Sequence, residues 1–321
     1  MTQAMTRTAL LRTLCLALCG FAPGIIRSAY CQTTSFESHS FAYSTGESLH
    51  YQSHLAGKPT LVLLHGLGLS SESWNQIRDR LARSFDVYAI DMRGFGQSSK
   101  PPGKDYSIKD QALRIASFIE RESLNDVILA GHSYGGAVAM MTYLTLKERK
   151  KERLIGKLIL LSAPAYPPRH PPLFIRAMHT PVVNNLLIRL WRSRSAVRYV
   201  MAHTYHDKSK IAPALLRVYA SYWRTPGAAH ALVETTRQLY PRSAAMLKGR
   251  IEEIDAPTLL IWGAEDTLVP VDMGIRLNKE LPRSRIEMIS GCGHVPQEEM
   301  PDKTVQLMLA YLGEPGTGGV R

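Results

Sequence analysis

Short apolar runs rich in Val, Ile and Leu alternate along the chain with longer stretches in which apolar residues recur every three or four positions. The runs are Thr60–Leu64, Asp86–Ile90, Val127–Ala130, Leu158–Leu161, Thr258–Trp262 and Arg285–Ile289. Such near-continuous apolarity suits parallel strands covered on both faces. Ahead of them, two more polar segments at 36–43 and 47–54 predict a hairpin. The three-to-four spacing predicts helices over Trp74–Arg83, Ile108–Glu122, Gly135–Arg149, Met273–Glu280 and Lys303–Leu312. Alternation of this kind specifies the α/β class, with a mostly parallel central sheet flanked by helices.

The alternation fails once. From Ala163 to about Ile254 no comparable strand occurs, and Pro-rich turns and helix-period stretches take its place. Because strands resume after Pro257, residues 163–254 are expected to form a helical cap inserted into one core built from 32–162 and 255–321. Within it, Val183–Arg192 sets Val183, Leu187, Leu190 and Trp191 on one helical face, with Arg189 and Arg192 opposite. No internal repeat, low-complexity tract or nucleotide-binding glycine fingerprint is present.

Composition agrees with one large core: 321 residues, 45% hydrophobic and 21% charged, argue against disorder, collagen or a coiled coil. The net charge of +12 is uneven. Residues 163–250 hold eleven Arg and three Lys against Asp207 and Glu234 alone, and the rest of the chain beyond residue 31 is mildly acidic. Excess Arg favours carboxylate or phosphate recognition, because guanidinium engages planar oxyanions through two bonds. The cap could therefore cover an acyl pocket, rest peripherally on an anionic membrane, or pack with its arginines solvated. The aromatic and base-reading motifs of nucleic-acid proteins are missing, so no nucleic-acid partner is expected.

Residues 1–31 differ from the remainder. Arg7 and Arg12, with no acid, precede an apolar run from Leu14 to Ala22 that Gly20 and Pro23–Gly24 interrupt. That is short of the ~20 apolar residues of a membrane span. The segment reads as a signal peptide or N-terminal anchor, which predicts an exported protein, periplasmic or secreted, with membrane association left open. Ala22-Pro23-Gly24 offers small residues for cleavage, whereas Leu18 and Tyr30 stand where a lipid attachment at Cys19 or Cys31 would want a small one. Cys15 and Cys19 belong to this segment, so Cys31 and Cys292 remain, too few for a disulfide framework.

The chemistry-bearing motifs sit at strand ends. Gly131-His132-Ser133-Tyr134-Gly135 follows one predicted strand and opens a helix, the context in which G-x-S-x-G lifts a serine hydroxyl above a sheet edge. A serine hydroxyl needs a base, and the base an orienting acid. Asp266, in Trp262-Gly263-Ala264-Glu265-Asp266, and His294, in Gly291-Cys292-Gly293-His294, lie beyond the last two predicted strands in the order Ser, Asp, His. Open α/β sheets bind ligands at that edge. Glu265 reads as a supporting carboxylate, and His65, His132, Asp91 and Arg93 as loop braces. Cys292 reads as a small buried hydrophobe. No His/Cys/Asp grouping has metal-ligand spacing, so neither metal nor cofactor is implied.

From about residue 36 to 313 the chain resembles the α/β-hydrolase superfamily. The likeness is to its esterase, lipase and C–C hydrolase branch, through Asp91-Met92-Arg93-Gly94-Phe95-Gly96-Gln97-Ser98 and Ala264-Glu265-Asp266-Thr267-Leu268-Val269-Pro270. The resemblance implies the α/β-hydrolase fold and a triad of Ser133, Asp266 and His294. It also casts His65-Gly66-Leu67-Gly68 as an oxyanion turn, with the Leu67 and Tyr134 N–H groups as donors. The expected activity is hydrolysis of carboxylic esters, lipid-like or anionic, through an acyl-Ser133 intermediate. C–C bond hydrolysis of a diketone-like acid and a non-enzymatic binding role are the alternatives. Dehalogenase and epoxide hydrolase readings are weakened, because those relatives use Asp where this chain has Ser133.

Overall fold

The computed structural model describes residues 35–167, 194–239, 247 and 249–313. The leader with Cys15, Cys19 and Cys31, and the stretch Val183–Arg192, lie outside the described residues.

Eight strands form one sheet: β1 (Glu37–Ser44), β2 (Glu47–His54), β3 (Thr60–Leu64), β4 (Asp86–Ile90), β5 (Val127–His132), β6 (Ile155–Leu161), β7 (Thr258–Gly263) and β8 (Ser284–Ile289). Their order is β1-β2-β4-β3-β5-β6-β7-β8. The β1–β2 hairpin joins β4 antiparallel, and every other pair is parallel. The inner strands are buried on both faces, and their two-residue period divides the core. Leu61, Leu63, Val87, Ala89, Ile128, Ala130, Ile159, Leu161, Leu259 and Ile261 face one way, onto Trp74, Ile77, Leu81, Val305 and Met308. The alternate residues Val62, Leu64, Ile90, Leu129, Leu158, Leu160, Leu260 and Trp262 face the other way, onto Ile115, Phe118, Ala137, Met140 and Leu277.

The helices that cover these faces are α1 (Asn75–Leu81), α2 (Ile108–Arg121), α3 (Tyr134–Glu148), α7 (Val271–Glu280) and α9 (Pro301–Gly313). Helix α2 starts at a capping box in which Ser107 and Asp110 satisfy one another's backbone N–H groups. Helix α3 is buried from Tyr134 to Leu146, as expected of a helix apolar on every side. The observed β6 begins three residues before the predicted strand, because only Leu158–Leu161 is apolar enough to register while Ile155 pairs at the sheet margin beside Val127.

Between β6 and β7 the described residues form α4 (Arg194–Met201), α5 (Pro213–Tyr222) and α6 (Ala228–Gln238), with no strand among them. Helices α4 and α5 share an apolar cluster of Val197, Met201, Ile211, Leu215, Leu216 and Tyr219 that also takes in Val295, Leu69 and Trp223. The inserted segment thus packs on the two loops that follow β3 and β8. A short helix α8 (Pro296–Glu299), absent from the sequence expectations, follows β8 directly before α9.

Candidate active site

Ser133 stands between β5 and α3 with φ +50° and ψ −120°. This is a conformation that L residues rarely adopt and that costs of order 1–3 kcal/mol. The turn is compressed on both sides. A Cβ on Gly131 would lie 2.3 Å from the Gly135 carbonyl oxygen, and one on Gly135 would lie 2.4 Å from that of Leu64. The Ser133 N–H is anchored to Leu161 O at 2.8 Å, which ties the turn to β6.

The side chains separated by up to 161 residues in sequence meet at this sheet edge. His294 Nε2 lies 2.8 Å from Ser133 Oγ, and His294 Nδ1 lies 2.8 Å from Asp266 Oδ2. Asp266 Oδ1 accepts the N–H groups of Leu268 and Val269, each at 2.9 Å. Burial alone would raise the Asp266 pKa. The charge of a protonated His294, the hydrogen bond from its ring and the Val269 N–H outweigh that and hold it below the usual carboxylate value. An Asp266 carboxylate favours the tautomer that carries its proton on His294 Nδ1, the one in which Nε2 can accept from the Ser133 hydroxyl.

The resemblance assigns the oxyanion donors to two backbone N–H groups. The N–H of Tyr134 is at the first position of α3, where no intrahelical acceptor exists, and that of Leu67 lies in the turn after β3. Neither is hydrogen-bonded among the described residues. Gly68 in this turn has φ +74°, and a Cβ there would come within 2.9 Å of the Trp223 ring. The end of α5 therefore rests on the turn.

The braces foreseen from the sequence are accounted for. His65 Nε2 accepts the Met92 N–H at 3.0 Å, so its proton is on Nδ1, donated to Gly66 O at 2.8 Å. Burial lowers the His132 pKa to about 3, and its Nε2–H donates to the His294 carbonyl at 2.7 Å. Asp91 takes bonds from Ser71 N, Gln97 N and His50 Nδ1, and Arg93 pairs with Glu47 at 3.3 Å. Glu265 accepts the Cys292 N–H at 3.0 Å, and the buried Cys292 thiol, in no disulfide among the described residues, donates to Gly293 O at 3.6 Å.

Support for His294 from the inserted segment was not legible in the sequence. The His294 N–H donates to Thr204 O at 2.6 Å. Glu299 accepts from Gly293 N at 2.7 Å and, across the interface, from His206 N at 3.2 Å and Asp207 N at 2.6 Å. Only the acidic pair Glu298–Glu299 just beyond His294, where solvated residues would be expected, could have signalled it.

A mostly parallel sheet that carries a strained serine at a strand-to-helix turn, with a hydrogen-bonded His and Asp at later strand ends, is the architecture of an α/β hydrolase. The chain belongs to the alpha/beta hydrolase family, whose sequence profile matches residues 61–307. It is 30% identical over 253 residues to the uncharacterized hydrolase YugF of Bacillus subtilis, covering 79% of this chain and 89% of that one. It is 25% identical over 266 residues to the 2-hydroxy-6-oxo-2,4-heptadienoate hydrolase of Pseudomonas putida, covering 80% and 90%. The crystal structure of a membrane phospholipase A, described as a bacterial virulence factor, superposes with a TM-score of 0.73 at 26% identity, covering 87% of this chain and 86% of that one.

Proposed function

We propose that the protein is an exported serine hydrolase that cleaves carboxylic esters of lipid-like or anionic acids. The hydrogen-bonded series from Ser133 Oγ through both nitrogens of His294 to Asp266 carries this reading. His294 removes the Ser133 proton as Oγ attacks the ester carbonyl. The oxyanion is met by the N–H groups of Leu67 and Tyr134, and the alcohol leaves with the proton from His294. Water then attacks the acyl-Ser133 ester, with His294 again as base, and releases the acid.

Two observations favour the substrate class. The phospholipase relative acts on lipid by its description. Arg194, Arg198, Lys208, Arg217 and Arg224 of the inserted segment are all exposed and in no ion pair among the described residues, a surface suited to anionic headgroups or a peripheral membrane contact. The Pseudomonas putida relative supports a second reading, C–C hydrolysis of a diketone-like acid.

The test is turnover of p-nitrophenyl esters from short to long acyl chains, beside Ser133→Ala and after fluorophosphonate treatment, with vesicles of neutral or anionic lipid added. Turnover that both treatments abolish, and that anionic vesicles or anionic esters raise, is the expected result. Labelling of Ser133 without ester turnover, together with turnover of a ring-fission product, would replace the ester reading by the C–C one. Absence of labelling would refute both.

A further inference from the structure

Glu298 is a carboxylate 2% exposed, four residues beyond His294, and the polar partners of its side chain come from the inserted segment. Tyr205 donates its hydroxyl to Oε2 at 2.5 Å, and Tyr219 of α5 donates to Oε1 at 3.0 Å. Both phenols are themselves buried, and Tyr219 is 2% exposed. A carboxylate in such a place is costly unless bonded, and hydroxyls without an acceptor would be costly too, so the three groups hold together or not at all.

The contact has a specific position. Tyr205 adjoins Thr204, whose carbonyl accepts the His294 N–H. There is no slack between the two backbones, since a Cβ on Gly293 would lie 2.6 Å from Thr204 O and 2.7 Å from His206 N. Anything that moves the 204–207 stretch therefore moves the peptide that carries the imidazole. We propose that Glu298 is a positioning residue: through Tyr205 and Tyr219 it fastens the inserted segment to the His294 loop, so that alignment of His294 with Ser133 depends on how that segment is seated. This rests on His294 acting as the base for Ser133.

The geometry explains why an acid is used here. A single side chain reaches two phenols on separate parts of the insertion, which a hydrophobic residue could pack against but not tie to one another. Burial raises the Glu298 pKa to about 7 against the two tyrosine bonds, which lower it. The other ionisable groups around it are Glu299 and Cys292, which act on Tyr205, and Glu72, which acts on Tyr219. From the neighbouring elements, Arg78 is engaged by Gln52, Arg80 by Asp302, and Asp266 by His294. No cation is bonded to Glu298 among the described residues, so its protonation state is free to alter the tie near neutral pH.

The experiment compares wild type with Glu298→Leu, with the triple variant Glu298→Leu, Tyr205→Phe, Tyr219→Phe, and with Glu298→Gln. The triple variant is apolar at all three positions and strands none of the polar atoms of this group, so it keeps the test open if Glu298→Leu fails to fold. Three quantities are read: kcat and KM on a p-nitrophenyl ester, the rate of fluorophosphonate labelling, and hydrogen exchange of peptides spanning 203–207 and 291–295. A misaligned base predicts kcat and labelling each reduced roughly 10- to 100-fold, with faster exchange in both peptides. Glu298→Gln, which can still bond both phenols, is expected to recover part of the loss and to flatten the pH profile around neutrality. Folded variants with kcat, labelling and exchange all at wild-type values would overturn the proposal. If the wild type does not turn over the esters offered, that ester reading fails by itself, while the labelling and exchange ratios still decide the role of Glu298.

Discussion

Replacing Glu298 by Gln removes one ionisation from the interior while keeping the size of the side chain, and the structure sets both the sign and the size of the effect on stability. In the native protein the carboxyl titrates at about 7, and in the unfolded chain at the ordinary 4.5. The native state therefore retains a proton through this interval that the unfolded state has already lost. Stability falls with pH wherever the native state binds more protons, so the contribution of Glu298 is fully present below pH 4.5 and is lost as the pH rises through 7. At 1.36 kcal/mol per unit, the interval of about 2.5 units corresponds to about 3 kcal/mol. Glutamine does not titrate, and Tyr205 and Tyr219 are held neutral, their pKa values raised by burial and by Glu298 itself. Subtracting the two proteins' stabilities at each pH isolates the carboxyl from every other group. The assay is urea unfolding of wild type and Glu298→Gln at half-unit steps from pH 4.5 to 8.5. The wild type is expected to lose about 3 kcal/mol relative to the variant, with the midpoint of the loss between the two pKa values. Parallel curves, or a wild type that gains on the variant as pH rises, would refute the burial argument.

Asp266→Asn is expected to lower kcat roughly 10⁴-fold, because an amide does not hold the imidazole proton on Nδ1; ester turnover within tenfold of wild type would contradict that role. Gly68→Ala brings a Cβ to 2.9 Å from Trp223 at a φ of +74° and is expected to displace the Leu67 N–H. A fall in kcat approaching 10²-fold, the scale of one oxyanion donor, is predicted, with Trp223→Ala restoring only part because the backbone strain persists. Gly131→Ala meets the Gly135 carbonyl at 2.3 Å, a backbone contact that cannot yield without opening the serine turn. A loss of at least about 2 kcal/mol in urea unfolding and of fluorophosphonate labelling is expected, and a stable, fully labelled variant would show that the turn is looser than described.

What could be read from the chain depended on whether the information was local. The inner strands β3 to β7 announce themselves because burial on both faces demands unbroken apolar runs, and the motifs at their ends inherit a position from the sheet they terminate. The placement of Ser133, Asp266 and His294 at strand ends was legible for that reason, since the strands bring together what the sequence holds 161 residues apart. β8 is only partly buried over most of its length, yet its apolar residues still marked it to within one residue, whereas α8, four residues long, has no room for a period. The insertion was visible as a failure of the strand pattern and as a concentration of charge, but its grip on the active-site loop was not. That grip consists of backbone N–H and carbonyl groups at 204–207, which carry no residue identity, and of two tyrosines whose hydroxyls find Glu298 more than 75 residues away. In this chain the side chains that join the insertion to the histidine loop are an acid and two phenols, Glu298, Tyr205 and Tyr219.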